Sequence, residues 1–280
     1  QSHKRVQITA DSASSLGAAF SPDGRYIAYH KMLPDRRCEI RLIELEPGQM
    51  LVKSDTLLTV CTPESVSARV SWSPDGRYII YPSLDAEQRQ MVMMMYPVAG
   101  GNAEQLTVPP ASSFGDYAGR YSRSGDKIAF ILDISSLGIV DVATGESREL
   151  AYTDNQASEI QVGAVSGKIY ASVGFFSHTN IKKVANKLVS DLQTKNLVFS
   201  SNRNEIYIEI NPKSSGPAAV VSRRSGLSQV WLFYPDGRQQ QLTDFTSNER
   251  IRSLVFSPDG SKLLLHLNSG IWQLTMAGEL

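Results

Sequence analysis

Phe20-Ser-Pro-Asp-Gly-Arg-Tyr26 recurs almost unchanged as Trp72-Ser-Pro-Asp-Gly-Arg-Tyr78 and Phe256-Ser-Pro-Asp-Gly-Ser-Lys262, and in degenerate form as Tyr121-Ser-Arg-Ser-Gly-Asp-Lys127. The stretch has the chemistry of a reverse turn. Proline presets φ, aspartate bonds back to the backbone, and glycine accepts a positive φ. Short apolar runs flank each copy, which makes it the turn of a β-hairpin with the leading aromatic directed into a core. Asp23, Asp75 and Asp259 therefore read as turn residues rather than catalytic ones.

Spacing extends the repeat. The aromatic anchors at 20, 72 and 121 are followed by a gap of 135 residues to Phe256, three steps of 45. Two weaker copies are expected within it, at Val165-Ser-Gly-Lys-Ile-Tyr170 and Ile210-Asn-Pro-Lys-Ser-Ser-Gly216. Six units of this length predict an all-β fold, a six-bladed β-propeller with four-stranded antiparallel blades. Gln105-Leu-Thr107, Gln241-Leu-Thr243 and Leu57-Leu-Thr59 precede the next anchor and read as outermost strands. The last unit stops after its third strand, whereas the chain starts with Arg5-Val-Gln-Ile-Thr9, which looks like an outermost strand. The expected ring is thus closed by the N-terminal strand completing the last blade, which would remove exposed sheet edges. Residues 1–280 form one domain, with blades near 10–62, 63–108, 109–152, 153–194, 195–243, and 244–280 plus 3–9.

Composition narrows the function. Lysine plus arginine and aspartate plus glutamate are each 28, so the formal net charge is zero and a nucleic-acid partner is not expected. No run of about 18 apolar residues is present, so this domain is not expected to insert into a membrane. The chain begins in mid-architecture, which leaves room for a leader or anchor upstream. The sequence contains no Gly-x-Ser-x-Gly elbow, Cys-x-x-Cys, His-Glu-x-x-His or glycine-rich phosphate loop, and no enzymatic activity, cofactor or metal is expected. His30 and His266 each follow their anchors by ten residues, which places them at similar height in neighbouring blades. Two packed strand residues are the plainer reading, since a metal site needs further ligands. Cys38 opens the third strand of the first blade and Cys61 follows its fourth; antiparallel pairing permits a disulfide, with two free thiols the alternative.

The Ser-Pro-Asp-Gly turns, with Ser222-Arg-Arg-Ser-Gly-Leu-Ser-Gln-Val-Trp-Leu-Phe-Tyr-Pro-Asp-Gly-Arg-Gln-Gln-Gln-Leu-Thr243, resemble the WD40-like propeller repeat of the TolB family. The resemblance spans essentially the whole chain, weakly over 153–200. In architecture the chain is also similar to the periplasmic propeller of membrane-tethered regulators of the CadC/ToxR type. The resemblance implies a periplasmic, non-enzymatic binding or sensory domain, the sensor part of such a regulator. The alternatives are a propeller gating a prolyl oligopeptidase-like hydrolase and a TolB-like envelope scaffold. A protein or small-molecule ligand is expected on the face opposite the Asp-Gly turns, where the loops joining fourth to first and second to third strands emerge. Its candidate binding residues are Arg36, Arg37, Phe175, Phe176, Arg203, Arg223 and Arg224. The innermost strands would line the channel with Arg69, Arg120, Tyr207, Glu209 and Arg252.

Overall fold

A computed structural model describes residues 5–9, 13–46, 51–153, 156–162, 169–175, 178–185, 196–199, 205–213, 215–247 and 249–276. Their strands pair into six antiparallel sheets of four. Five are blades made of four consecutive strands. The first holds β2 (Ser14–Phe20), β3 (Tyr26–Met32), β4 (Cys38–Leu45) and β5 (Val52–Cys61). The second holds β6 (Ser71–Trp72), β7 (Tyr78–Asp85), β8 (Gln90–Pro97) and β9 (Glu104–Gln105). The third holds β10 (Asp116–Tyr121), β11 (Lys127–Leu132), β12 (Ser136–Asp141) and β13 (Ser147–Tyr152). The fourth holds β14 (Ala157–Val162), β15 (Ile169–Phe175), β16 (His178–Ala185) and β17 (Asn196–Phe199). The fifth holds β18 (Glu205–Ile210), β19 (Ala218–Ser222), β20 (Gln229–Phe233) and β21 (Gln239–Gln241).

The expectation of a six-bladed propeller needs correction here. Five blades are contiguous in the chain; the remaining sheet is composite. In it β22 (Ser253–Phe256), β23 (Lys262–Leu267) and β24 (Gly270–Thr275) are joined by β1 (Arg5–Gln7), which supplies three residues. The fourth blade also runs further than expected. Its outer strand lies at Asn196–Phe199, beyond the boundary at 194, and its inner strand ends at Val162. Val162 therefore stands where Phe20 and Tyr121 stand. The expected anchor at Val165 lies outside the described residues.

The turn motif forms because its own side chains complete it. Ser21 Oγ donates to Asp23 Oδ1 at 2.6 Å, Asp23 accepts the Arg25 amide at 3.1 Å, and the Tyr26 amide donates to Ser21 Oγ at 2.9 Å. The same three bonds recur at Ser73, Asp75 and Tyr78, and at Ser257, Asp259 and Lys262. The Ser73 hydroxyl and the Arg77 amide hold the Asp75 carboxyl down at about 2. These aspartates are spent on the turn. The prolines act between sheets: a Cβ on Gly24, Gly76 or Gly125 would lie 3.6, 3.7 or 3.3 Å from Pro258, Pro22 or Pro74 of the preceding sheet.

Side-chain burial falls from the axis outward. The second strands are buried on both faces through Ile27–His30, Ile79–Pro82 and Ile128–Ile131, whereas β5 is largely exposed. The hydrophobic clusters lie between neighbouring sheets, which pack face to face. The anchors Phe20, Trp72, Tyr121 and Phe256 are all buried there. One cluster joins Ile8, Phe20, Ile27 and Tyr29 to Leu264 and Ile271, so the first and last sheets share a core.

A Gln-x-Thr latch ends three outer strands. Gln105 Nε2 donates to the Thr107 carbonyl at 2.9 Å, and Thr107 Oγ1 accepts the Met93 amide at 3.1 Å. Gln241 and Thr243 repeat this at 2.7 Å and, to the Val230 amide, 2.9 Å. Gln7 and Thr9 repeat it again at 2.7 Å and, to the Ile271 amide, 3.0 Å. Residues 7–9 thus do for the composite sheet what the corresponding residues do for the second and fifth blades. Leu57-Leu-Thr59 has no glutamine and lies inside β5. That strand is fastened by the Cys38–Cys61 disulfide, between residues directly paired across β4 and β5.

The disulfide spans a sequence separation of 23 residues. A loop of that length is expected to contribute about 3 kcal/mol of stability. Chemical denaturation of the Cys38→Ser, Cys61→Ser protein is expected to show a loss of about that size, with wild type falling to the same midpoint under reductant.

Candidate functional site: a cup above a buried charge belt

The inner strands are irregular where they approach the axis. Register shifts fall between Leu16 and Ala19, Tyr117 and Arg120, Ala157 and Glu159, and Ile206 and Ile208. Gly17, Ala118 and Tyr207 take left-handed φ of 57°, 55° and 53° at these bulges. An extra residue bends a strand and re-aims the side chains that follow it. Glycine is required at 17, because a Cβ there would come within 2.8 Å of the Arg69 Cα.

Below the bulges, charged side chains meet in a belt. Arg69 Nη2 lies 2.5 Å from Glu209 Oε2, Arg69 Nη1 donates to the Leu254 carbonyl at 2.7 Å, and Arg69 Nε lies 3.6 Å from Glu159. Arg120 pairs with Glu159 and donates to the Gly119 carbonyl at 2.7 Å, while the Gln161 amide donates to Glu209. All five residues are buried, none more than 7% exposed. Two guanidinium groups and two carboxylates balance. Burial opposes the charge on Arg69, but Glu209 and Glu159 outweigh it and raise its pKa. Arg120 is pulled down to about 10, by burial and by Arg69 beside it.

The belt separates two cavities. On the face of the Ser-Pro-Asp-Gly turns lies one of about 270 Å³, into which Arg69, Arg120, Gln161 and Glu209 project beside Pro22, Pro212 and Pro258. On the opposite face is a larger cup of about 470 Å³. Arg69 and Glu159 form its floor, Tyr117, Tyr207 and His266 its wall, and Phe114, Ile134, Arg250 and Arg252 its rim. The fourth-to-first and second-to-third connections supply this rim, which is the face expected to bind.

The structure sorts the candidate residues. Arg69, Arg120 and Glu209 are belt members; Tyr207 and Arg252 line the cup. The loop arginines fare differently. Arg36 is exposed, Arg37 is exposed and paired with Asp35 at 2.6 Å, and neither lines the cup. Arg223 is exposed and away from the cup. Arg224 is committed to packing: it pairs with Glu205, donates to Gln239 at 2.6 Å and covers the Trp231 and Phe233 rings at 5.1 and 4.8 Å. Phe175 ends β15, with its side chain outside the described residues, as are Phe176 and Arg203 entirely. His30 and His266 are both buried. Only His266 of the two lines the cup, and among the described residues no group of three or more His, Cys, Asp or Glu side chains is placed to hold a metal.

Glu159, Gln161, Phe114, Tyr117 and Arg250 escaped the list of candidate residues. Glu159 and Gln161 stand three and one residues before Val162, the offsets at which Arg69 precedes Trp72 and Arg120 precedes Tyr121. The expected anchor at Val165 lies three residues past the end of β14, which takes Glu159 and Gln161 out of that frame. No local signal marks Phe114, which reaches the rim from a loop held by Gln90, whose amide donates to the Pro110 and Ser113 carbonyls at 2.7 and 2.9 Å.

No family model matches the sequence, and no curated protein matches it. Solved structures do. A protein from Agrobacterium tumefaciens assigned to TolB superposes with a TM-score of 0.70 at 15% identity, covering 99% of this chain and 100% of that one. TolB from Acinetobacter baumannii gives 0.61 at 15% identity, over 96% of this chain and 56% of its own. An oligogalacturonate lyase in complex with manganese gives 0.61 at 15% identity, over 93% and 74%. At such identities the likeness is one of fold. It makes this chain a β-propeller similar in fold to TolB.

Two outcomes are expected of the site. Removing one partner of a buried ion pair leaves a charge without compensation, at a cost of about 3–5 kcal/mol. Glu209→Gln is therefore expected to lower the denaturation midpoint sharply, whereas Arg36→Ala stays within about 0.5 kcal/mol of wild type. The second outcome concerns pH. Burial pushes the His30 imidazole down to about 3, and burial with the neighbouring Arg252 does the same to His266. Both are neutral in the folded state while the unfolded chain takes up protons below about 6.5, so stability is full above that pH and is lost on acidification toward 3. The loss is roughly 2 kcal/mol per histidine by pH 5. Asp116, pushed up to about 6 by burial, acts in the opposite sense and offsets part of it. Denaturation midpoints measured from pH 7 to 4.5 are expected to fall, with a smaller slope in His266→Gln.

Proposed function

We propose that this chain is a non-enzymatic binding domain that receives a partner over the cup. The observation that carries the reading is the contrast between the two faces. The Asp-Gly face is built from repeated turns whose side chains satisfy one another, whereas the cup rim presents arginines and aromatic or aliphatic groups left over from the belt and core. Exposed groups on a rigid scaffold are where binding residues concentrate. The periplasm is the proposed compartment, supported by the Cys38–Cys61 disulfide, which persists in oxidising surroundings. A sensory role in a membrane-tethered regulator is the finer form of this reading and rests on architecture alone.

Site-specific photocrosslinking in a bacterial envelope extract tests the proposal. With p-benzoylphenylalanine at Ile134, on the cup rim, adducts are expected; at Asp236, in a turn on the other face, none are. Adducts from Asp236 alone, or from neither position, would sink the assignment of the face. Substrate turnover abolished by a single substitution in the cup would overturn the non-enzymatic reading.

A further inference from the structure

The cup has two chemically different lips. One is cationic. Arg250 and Arg252 stand two residues apart at the entry to β22, so period-two alternation turns both to the same side. Both are exposed, and neither side chain has an ion pair or hydrogen bond among the described residues. The belt beneath is balanced, and the formal charge of the whole chain is zero. Among the described residues, the positive charge at this lip is local and has no ion-pair partner.

The other lip is apolar. Phe114 is 57% exposed and Ile134 40% exposed, and Phe114 meets Tyr117 edge to face at 5.8 Å. Further exposed apolar side chains lie on connections of the same face. Val108, in the same loop as Phe114, is 75% exposed, and Tyr152, at the end of β13, is 53% exposed. Neither lines the cup. An occupant that used only the cavity would leave them in water, so the surface suits a chain that emerges from it.

We infer that the cup takes an acidic, apolar segment of a partner protein, with carboxylates on Arg250 and Arg252 and an aromatic or aliphatic side chain on Phe114 and Ile134. This rests on the reading of the cup face as the binding surface. Arginine is suited to the anionic end, since its guanidinium group meets a carboxylate with two parallel hydrogen bonds. The two neutral phenols and the imidazole on the wall supply further polar contacts without adding charge.

Titration calorimetry with capped hexapeptides tests the inference, using Ser-Phe-Asp-Leu-Glu-Ser as probe. Controls are Ser-Phe-Asn-Leu-Gln-Ser, Ser-Ser-Asp-Ser-Glu-Ser and Ser-Phe-Lys-Leu-Lys-Ser. The probe is expected to bind at least about tenfold more tightly than each control, a difference of about 1.4 kcal/mol. Its affinity is expected to fall with salt. Arg250→Gln with Arg252→Gln should abolish the preference over the neutral peptide, and Phe114→Ser the preference over the polar one. Hydrogen exchange locates the contact, with protection expected in segments 113–117 and 250–253. Equal or tighter binding of the neutral or lysine peptide, with protection in those segments, overturns the ligand chemistry and leaves the face standing. Protection elsewhere, or none with any peptide, overturns both. Binding to phosphatidylglycerol vesicles through Arg250 and Arg252, without peptide binding, overturns the protein partner in favour of a lipid surface.

Discussion

Two arginines and two glutamates taken out of water at the axis constrain everything above and below them. Each would be costly alone, because a buried charge without a partner keeps its desolvation penalty. Together they are neutral, and they draw on four blades: Arg69 precedes β6, Arg120 lies in β10, Glu159 in β14 and Glu209 in β18. The belt thereby fixes how the inner strands of those blades converge. It also separates the cup from the cavity on the Asp-Gly face, so that the cup is a dead end with its own electrostatics.

The bulges make this arrangement possible. A regular inner strand would alternate its side chains between the two neighbouring interfaces along its whole length. The extra residue at Gly17, Ala118 and Tyr207 breaks that alternation. Non-glycine residues rarely hold left-handed φ, and here Ala118 and Tyr207 do so at the level where cup gives way to belt. Strain of this kind persists only where surrounding structure over-determines it, and the packed inter-blade clusters supply that.

Much of the scaffold was legible because its signals are local. The Ser-Pro-Asp-Gly turns carry their own hydrogen-bonding partners within six residues, and Gln-x-Thr latches need only an outer strand beside a third strand. The candidate site was legible where it followed the repeat, as with Arg69, Arg120, Glu209, Tyr207 and Arg252. It was lost where a degenerate copy shifted the frame, as with Glu159 and Gln161. Among the loop arginines, composition is silent on which find partners. Arg224 is held by Glu205, Gln239 and two aromatic rings, and Arg37 by its own loop, while Arg250 is left for the rim.

The amino-acid sequence by itself determined the repeating hairpin turns, the spacing of the blades and the likeness of Gln7-Ile-Thr9 to the other strand ends, since each depends on contacts between residues close along the chain or in one repeat. Only the tertiary structure decided that Glu159 neutralises Arg120, that Phe114 faces Arg250 across a cup, and that the axis is filled rather than open. Those facts depend on which inner strands meet at the axis and on the register shifts that turn their side chains, and neither is written in any single repeat.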